Sequence, residues 1–313
     1  ISIISPLYGG TFIDCTFGQG GYSKKILENK KNKIFAIDRD FNSKNIAKQF
    51  KKKYQKRFNF ENKKFSEILG LDKNIENLKG VIFDLGYSTL QIKDPEKGLS
   101  FNSKGKLNMR MGLNNFSADY VVNKLGQIEL EKIFKVFGQE NRSKIISKKI
   151  VSFRKNKNLQ TEDLVNIINS IKKKKFSKIH NATKIFQALR IIVNKEISEL
   201  IYGLINSFKI LPVGGVIVIV TFHSIEDQIV KFFLKNYSEN KNVSRYLPSR
   251  VEKKNLFKLI DKKPIIPNEE EITINPASRS AKLRYGIKLN NHFDFSEFIK
   301  KFNYLLKVEK LAD

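Results

Sequence analysis

Two short stretches of this chain gather groups able to act on a small polar ligand. The first, Asp14-Cys15-Thr16-Phe17-Gly18-Gln19-Gly20-Gly21-Tyr22, sets three glycines behind a carboxylate. Glycine lets a backbone approach a ligand closely and tolerates positive φ. Such a turn serves NAD, FAD or S-adenosylmethionine equally well. Asp38 follows 17 residues after Gly21, where a carboxylate ending a second strand can accept both hydroxyls of a nucleoside ribose. Capping the helix that starts near Asn42 is the competing role, and Asp40 fills it better. The second stretch, Asp84-Leu85-Gly86-Tyr87-Ser88-Thr89-Leu90-Gln91, crowds a carboxylate, hydroxyls and an aromatic ring into one loop. A loop of this kind can hold a nucleobase by its exocyclic amine while a ring stacks on its face. A plain Asp-Leu-Gly turn capped by Ser88 is the structural alternative.

Other chemistries are excluded or unsupported. The first turn has no Lys and no Gly-Lys-Ser/Thr ending, so it is not a P-loop. His180, His223 and His292 are scattered, and no metal site is expected. No Gly-x-Ser-x-Gly elbow occurs. Cys15 is the single cysteine, which forbids an intramolecular disulfide and points to a reducing, cytoplasmic compartment. The apolar run Val216 to Val220 is far shorter than the roughly 20 residues a membrane helix needs, so no membrane association is expected. No secretory signal is expected either, and the start at Ile1 without Met suggests that a short N-terminal piece is missing. With 59 Lys plus Arg against 31 Asp plus Glu the net charge is +28, which suits a polyanionic partner. The competing explanation is an AT-rich genome, which writes Lys, Ile, Asn and Phe everywhere.

These residues need elements to position them. Thr11 to Asp14, Ile34 to Asp38 and Val81 to Asp84 read as buried parallel strands, each closing on an acid, with a shorter strand near Phe58 to Glu61. Helical patterns at Tyr22 to Asn29 and Asn42 to Tyr54 alternate with them, which argues for a right-handed βαβ sheet. A further strand is expected at Val216 to Thr221, followed by a helix from about Ile225 to Lys235. Between the strands, Ala118 to Leu125, Ile128 to Val136, Arg142 to Asn156 and Glu162 to Lys173 show helical spacing. Residues 99–181 are therefore read as an inserted helical substrate domain, with 1–98 and 182–313 forming the sheet domain. The insert holds 18 basic and 6 acidic residues, densest at Lys172 to Lys175. One long amphipathic helix from Thr183 to Phe208 is expected to return the chain to the sheet, and residues 236–275 are expected to be loop-rich.

Taken together, these blocks resemble the ribosomal RNA small-subunit methyltransferase H family, bacterial enzymes that methylate N4 of a cytidine in the decoding region of 16S rRNA. The run Gly10 to Gly21, Ala36-Ile37-Asp38-Arg39-Asp40 and Asp84-Leu85-Gly86 carry the resemblance first. Lys97-Gly98-Leu99-Ser100-Phe101, Asn108-Met109-Arg110-Met111, Phe137-Gly138-Gln139-Glu140 and Phe186 to Asn194 extend it. Thr221-Phe222-His223-Ser224-Ile225-Glu226-Asp227 and Asn275-Pro276-Ala277-Ser278-Arg279-Ser280 complete it in the family's order. The resemblance implies an α/β, Rossmann-like S-adenosylmethionine-dependent methyltransferase fold with an inserted helical domain. Its cofactor contacts carry over to Gly20, Gly21, Tyr22, Asp38, Phe65, Asp84 and Gln91. Tyr22 stands where the family usually has His, Asn108 where it has Asp, and Tyr87-Ser88-Thr89-Leu90 where it has Val-Ser-Ser-Pro.

The leading expectation is thus methylation of a cytidine amine within 16S rRNA, in the context of the small ribosomal subunit, with Asp84 and Ser88 accepting the amine hydrogens. Arg110, Arg142, Arg190 and Arg279 are expected to hold RNA phosphates, although Arg190 could instead pair with Glu196 or Asp84. A Gly20→Val change is expected to exclude the cofactor by bulk and leave the fold intact. Cys15 is expected to be a packing residue. A homodimer is compatible with the sequence. A DNA amino-methyltransferase should show an Asp/Ser-Pro-Pro-Tyr loop, which Asp84-Leu85-Gly86-Tyr87 lacks. A non-catalytic RNA-binding assembly factor would be favoured by loss of Asp38 or the turn glycines, and these are present.

Overall fold

Runs such as Val81-Ile82-Phe83 and Ile217 to Val220 are apolar at successive positions, a pattern tolerated only where both faces of a strand are covered. The computed structural model describes residues 1–4, 6–88, 91–92, 94–101, 103, 105–172, 180–238 and 255–312. In it these runs form the middle of a seven-stranded sheet of order β3-β2-β1-β4-β5-β7-β6. Strands β1 (Gly10–Asp14), β2 (Asn32–Ile37), β3 (Phe58–Glu61), β4 (Leu78–Asp84) and β5 (Val216–Thr221) are parallel. β6 (Phe257–Lys258) and β7 (Lys282–Lys288) close the edge antiparallel. This is the expected Rossmann-like arrangement, whose order reverses between β1 and β4, where such sheets open a crevice at their carboxyl ends. β7 escaped the sequence reading because Lys282, Arg284 and Lys288 interrupt its apolar pattern. Arg284 and Lys282 are neutralised by Asp227, at 2.7 and 3.2 Å.

Two compact units divide the chain, residues 1–86 with 199–301 and residues 87–198 with 302–313. In the first, α1 (Gly21–Leu27) and α2 (Ser43–Tyr54) connect β1 to β2 and β2 to β3, so right-handed crossovers lay both on one face of the sheet. Their apolar sides enter a core of Phe12, Phe17, Ile26, Ile34, Ala47 and Phe58.

The second unit contains the expected helices α3 (Ala118–Lys124), α4 (Gln127–Val136), α5 (Ser143–Phe153) and α6 (Thr161–Ile171). It also contains α7 (Thr183–Asn194), which packs on α3 and α4. The single helix expected from Thr183 to Phe208 is instead two, α7 and α8 (Glu196–Ile210), broken at Lys195 with φ 52°. Glu309 stabilises the break: its carboxylate accepts the N–H groups of Ile197 (2.8 Å) and Ser198 (3.1 Å), and its carbonyl accepts Lys195 Nζ (2.7 Å). This is why the expected boundaries at 98/99 and 181/182 differ from the divisions at 86/87 and 198/199: α7 is tied to the insert's helices by packing that no local pattern displays. Helices α9 (Ser224–Asn236), α10 (Glu269–Ile274) and α11 (Ser296–Glu309) follow. Of the lysine run 172–175, only Lys172 is among the described residues, and it pairs with Glu140. Of the region 236–275 expected to be loop-rich, residues 239–254 lie outside the described ones. Among the described residues no helix is long and apolar enough to cross a membrane.

Candidate active site

Because β1, β2, β4 and β5 run parallel, their carboxyl ends share one edge, and three of them deliver carboxylates there. Asp14 is the last residue of β1, Asp38 follows β2 and Asp84 is the last residue of β4. Asp14 is buried; its Oδ2 accepts the Ser23 hydroxyl (2.7 Å) and its Oδ1 the Thr16 N–H (3.2 Å). Burial pushes its carboxyl up to about 6, against the pull of those hydrogen bonds. Asp38 uses both oxygens on backbone, Oδ2 accepting the Gly18 N–H at 2.6 Å and Oδ1 the Asp40 N–H at 2.8 Å. It therefore moors the glycine turn to β2, and burial raises its carboxyl above the usual range. Asp40 Oδ1 accepts the Asn42 N–H at 3.0 Å in the turn before α2, whose N-cap, Asn42, makes no side-chain capping bond, so the capping role expected of Asp40 is not what the structure shows.

Asp84 differs from both. Its own N–H donates to Thr16 Oγ1 at 2.7 Å, yet its Oδ1 is closed to solvent with no hydrogen-bond partner among the described residues. A buried carboxylate oxygen without a donor is costly unless a ligand supplies one. Burial first, then the charges of Asp14 and Glu226, push the Asp84 carboxyl up to about 7. Glu226 caps α9, its Oε2 accepting the N–H groups of Phe222 (2.8 Å) and His223 (3.2 Å). Tyr22 is half-buried, and burial together with Asp84, Asp14 and Glu271 raises its hydroxyl. Phe65 stands edge-on to Phe83 at 5.3 Å, and a Cβ at Gly203 would lie 2.5 Å from its ring. An acid-lined edge with one orphaned carboxylate oxygen fits a ligand that brings positive charge and hydroxyl donors, and S-adenosylmethionine carries both.

The glycines divide by role. Gly18 and Gly20 take φ of 51° and 79°, a region that favours glycine. A Cβ at Gly20 would lie 2.5 Å from the Phe50 ring and 2.9 Å from Phe17, so Gly20 is demanded by the core beneath the turn. The expectation that Gly20→Val would spare the fold is corrected accordingly. Gly21 has open space around its Cβ direction.

The remaining candidates lie mostly in the second unit. Ser88 and Gln91 close a local turn, the Ser88 N–H donating to Gln91 Oε1 (2.9 Å) and the Gln91 N–H to Ser88 Oγ (3.3 Å). Thr89 and Leu90 lie outside the described residues. Arg110 is exposed, held by Asn108 Oδ1 at 2.8 Å, and lines a cavity of about 520 Å³ with Lys106, Glu96 and Asp119. Arg142 is exposed and donates to the Ile171 carbonyl. Arg190 is different: only 7% exposed, it pairs with Glu196 at 2.8 Å and lies 5.0 Å from the Tyr87 ring. That is the alternative pairing foreseen for it, and it leaves the guanidinium spent within the fold. Arg279, in the first unit, is exposed. Thr16 and Asp14 were quoted in the motif but given no role; their positions just before the glycines and at a strand's acid end were the available signal.

The chain is similar to known proteins over most of its length. The sequence profile described as the MraW methylase family matches residues 1–289. The chain is 39% identical over 300 residues to Ribosomal RNA small subunit methyltransferase H of Orientia tsutsugamushi (strain Ikeda), covering 93% of this chain and 96% of that protein. The same-named protein of Ehrlichia ruminantium (strain Welgevonden) is 39% identical over 299 residues, covering 92% and 96%. That of Rhodopseudomonas palustris (strain BisA53) is 36% identical over 288 residues, covering 90% and 86%. With a match over more than nine-tenths of its length and a parallel sheet whose strands deliver Asp14, Asp38 and Asp84 to one edge, the chain belongs to the MraW methylase family.

Proposed function

We propose that the protein transfers a methyl group from S-adenosylmethionine to N4 of a cytidine in 16S rRNA. The observation that carries this reading is the buried, unpartnered Oδ1 of Asp84 at the carboxyl edge of the sheet. Gly21, Tyr22, Asp38 and Phe65 would hold the cofactor, which supplies an electrophilic methyl group. The cytosine amine is a poor nucleophile because its lone pair is delocalised into the ring. Asp84 accepts an amine hydrogen, turns that lone pair out of conjugation and takes up the proton the nitrogen loses as the new N–C bond forms. A carboxyl pushed up to about 7 is well matched to that exchange near neutrality. The intrinsically reactive donor leaves alignment and water exclusion as the main sources of rate. Ser88 and Gln91 are retained as second acceptor and cofactor contact on the strength of the motif. Arg110, Arg142 and Arg279 are the proposed phosphate contacts, and Arg190 leaves that set because Glu196 occupies it.

Carbon-5 methylation would need a thiolate to attack the ring. Cys15 is 1% exposed, and burial beside Asp14 pushes its thiol well above the ordinary value. The test is to incubate 16S rRNA with protein and S-adenosylmethionine and digest to nucleosides for mass spectrometry. N4-methylcytidine should form with the parent and with Cys15→Ala and be lost with Asp84→Ala; 5-methylcytidine as the product would overturn the assignment.

A further inference from the structure

Beyond the helical insert, a second stretch concentrates positive charge. Residues 24–57 hold 13 basic and 3 acidic residues, a net of +10, where an even spread of +28 over 313 residues would put about +3. These residues form α1, β2, α2 and the turns between them. In a parallel βαβ unit each helix runs back against its strands, so the carboxyl ends of α1 and α2 both lie at the amino edge of the sheet. That edge is opposite the carboxylates of the site, about 17 Å away along a five-residue strand. Arg57 stitches the two helix ends together: its Nη1 donates to Leu27 O (3.1 Å), Asn29 O (3.2 Å) and Asn32 O (3.3 Å).

Some of these cations have internal work. Arg57 satisfies carbonyls at the end of α1, and Lys51 Nζ donates to Phe58 O (2.9 Å) and Asn59 Oδ1 (2.8 Å). Lys30, Lys52, Lys53 and Lys56 are exposed, and among the described residues no carboxylate pairs with them. Lys53 Nζ lies 5.3 Å from the Tyr54 ring and Lys52 and Lys53 gain from the carboxyl end of α2, but four like charges brought to one edge with no carboxylate partner still repel one another. A polyanion would offset that repulsion through counterion release.

We propose that this edge, built from Lys30 and the Lys52, Lys53 and Lys56 cluster around Arg57, docks the phosphate backbone of RNA at a distance from the reacting nucleotide. The proposal rests on the RNA-methyltransferase reading above. RNA is favoured over a membrane because the apolar residues of α2, Ile46, Phe50 and Tyr54, pack against the core, so the basic helix presents no apolar face to lipid, and the exposed Leu7 and Tyr8 beside Asn29 belong to a short turn rather than an amphipathic helix.

The test uses the full chain carrying Lys30→Gln, Lys52→Gln, Lys53→Gln and Lys56→Gln together, with a 16S rRNA transcript titrated between 50 and 200 mM salt. RNA affinity should fall at least about tenfold, and the salt dependence should become shallower by about three ions released. S-adenosylmethionine affinity and the thermal midpoint should stay at parent values. The matching four Lys→Arg changes should restore RNA affinity, which separates charge from any effect on folding. Unchanged RNA affinity in the Gln variant would overturn the proposal. So would binding to phosphatidylglycerol vesicles that the Gln variant loses while keeping its RNA affinity. A parent protein that binds RNA through this edge yet forms no N4-methylcytidine would overturn the proposed reaction and leave the docking edge standing.

Discussion

Among the described residues, the Thr16 side chain joins the glycine turn to the proposed base. Its Oγ1 accepts the Asp84 N–H at 2.7 Å, just beyond the point where Cys15 N–H donates to Ile82 O at 2.9 Å. The hydroxyl thus extends the β1–β4 ladder by one rung after the backbone of β1 has turned away. Thr16→Val keeps the shape and removes the acceptor, which strands a part-buried N–H. An unsatisfied group of this kind costs about 1–3 kcal/mol, so urea denaturation should show a loss in that range. The free N–H will draw the Asp84 backbone toward another acceptor. A misplacement of roughly 1 Å in a reacting group lowers rate on the order of 100-fold. kcat for cytidine methylation should therefore fall by about 10- to 100-fold, while S-adenosylmethionine affinity, which depends on the Asp38-moored turn, changes little. Thr16→Ser retains the oxygen and should recover most of the rate. A Val variant with parent kcat, or a Ser variant as slow as Val, would refute the positioning role.

Asp38→Ala removes acceptors for the Gly18 and Asp40 N–H groups as well as the proposed ribose contact, so calorimetry should show cofactor binding weakened by about 1.5–3 kcal/mol. Equal affinity would remove Asp38 from the site. Asp14 and Asp84 are raised to about 6 and about 7 from 3.8, so between about pH 4 and 7 the folded chain holds more protons than the unfolded one, and their contribution to stability declines as pH rises through that window. Asp84→Asn should accordingly gain stability relative to the parent at pH 8 and little at pH 4, as read from urea midpoints at the two values. Lys288 is 2% exposed and donates to Phe208 O (2.7 Å) and Leu211 O (2.6 Å) at the end of α8; Lys288→Met should cost on the order of 1–3 kcal/mol of stability by leaving both carbonyls unpaired, and an unchanged denaturation midpoint would show that they find other donors.

Much of this protein is legible in its sequence because the informative signals are local. A parallel strand covered on both faces must be apolar at nearly every position, so β1, β2, β4 and β5 announce themselves, and each acid that ends such a run marks the edge where ligands bind. Helices α3 to α6 are readable for the same reason, since one covered face imposes its spacing on the chain. β7 is half polar, and its place in the sheet depends on Asp227, which lies more than fifty residues earlier and neutralises Lys282 and Arg284. The break at Lys195 depends on Glu309, over a hundred residues away, to satisfy the start of α8. Gly20 looks like a ligand-facing glycine until Phe17 and Phe50 are seen beneath it, and Arg190 looks like a phosphate contact until Glu196 is seen to hold it. The sequence by itself determined the parallel strands, most of the helices and the acids at the sheet's edge, because periodicity and strand ends are properties of neighbours in the chain. Only the tertiary structure decided which polar groups are already spent and which, like Asp84 Oδ1, are left for a ligand, because hydrogen-bond satisfaction is settled between residues that only folding brings together.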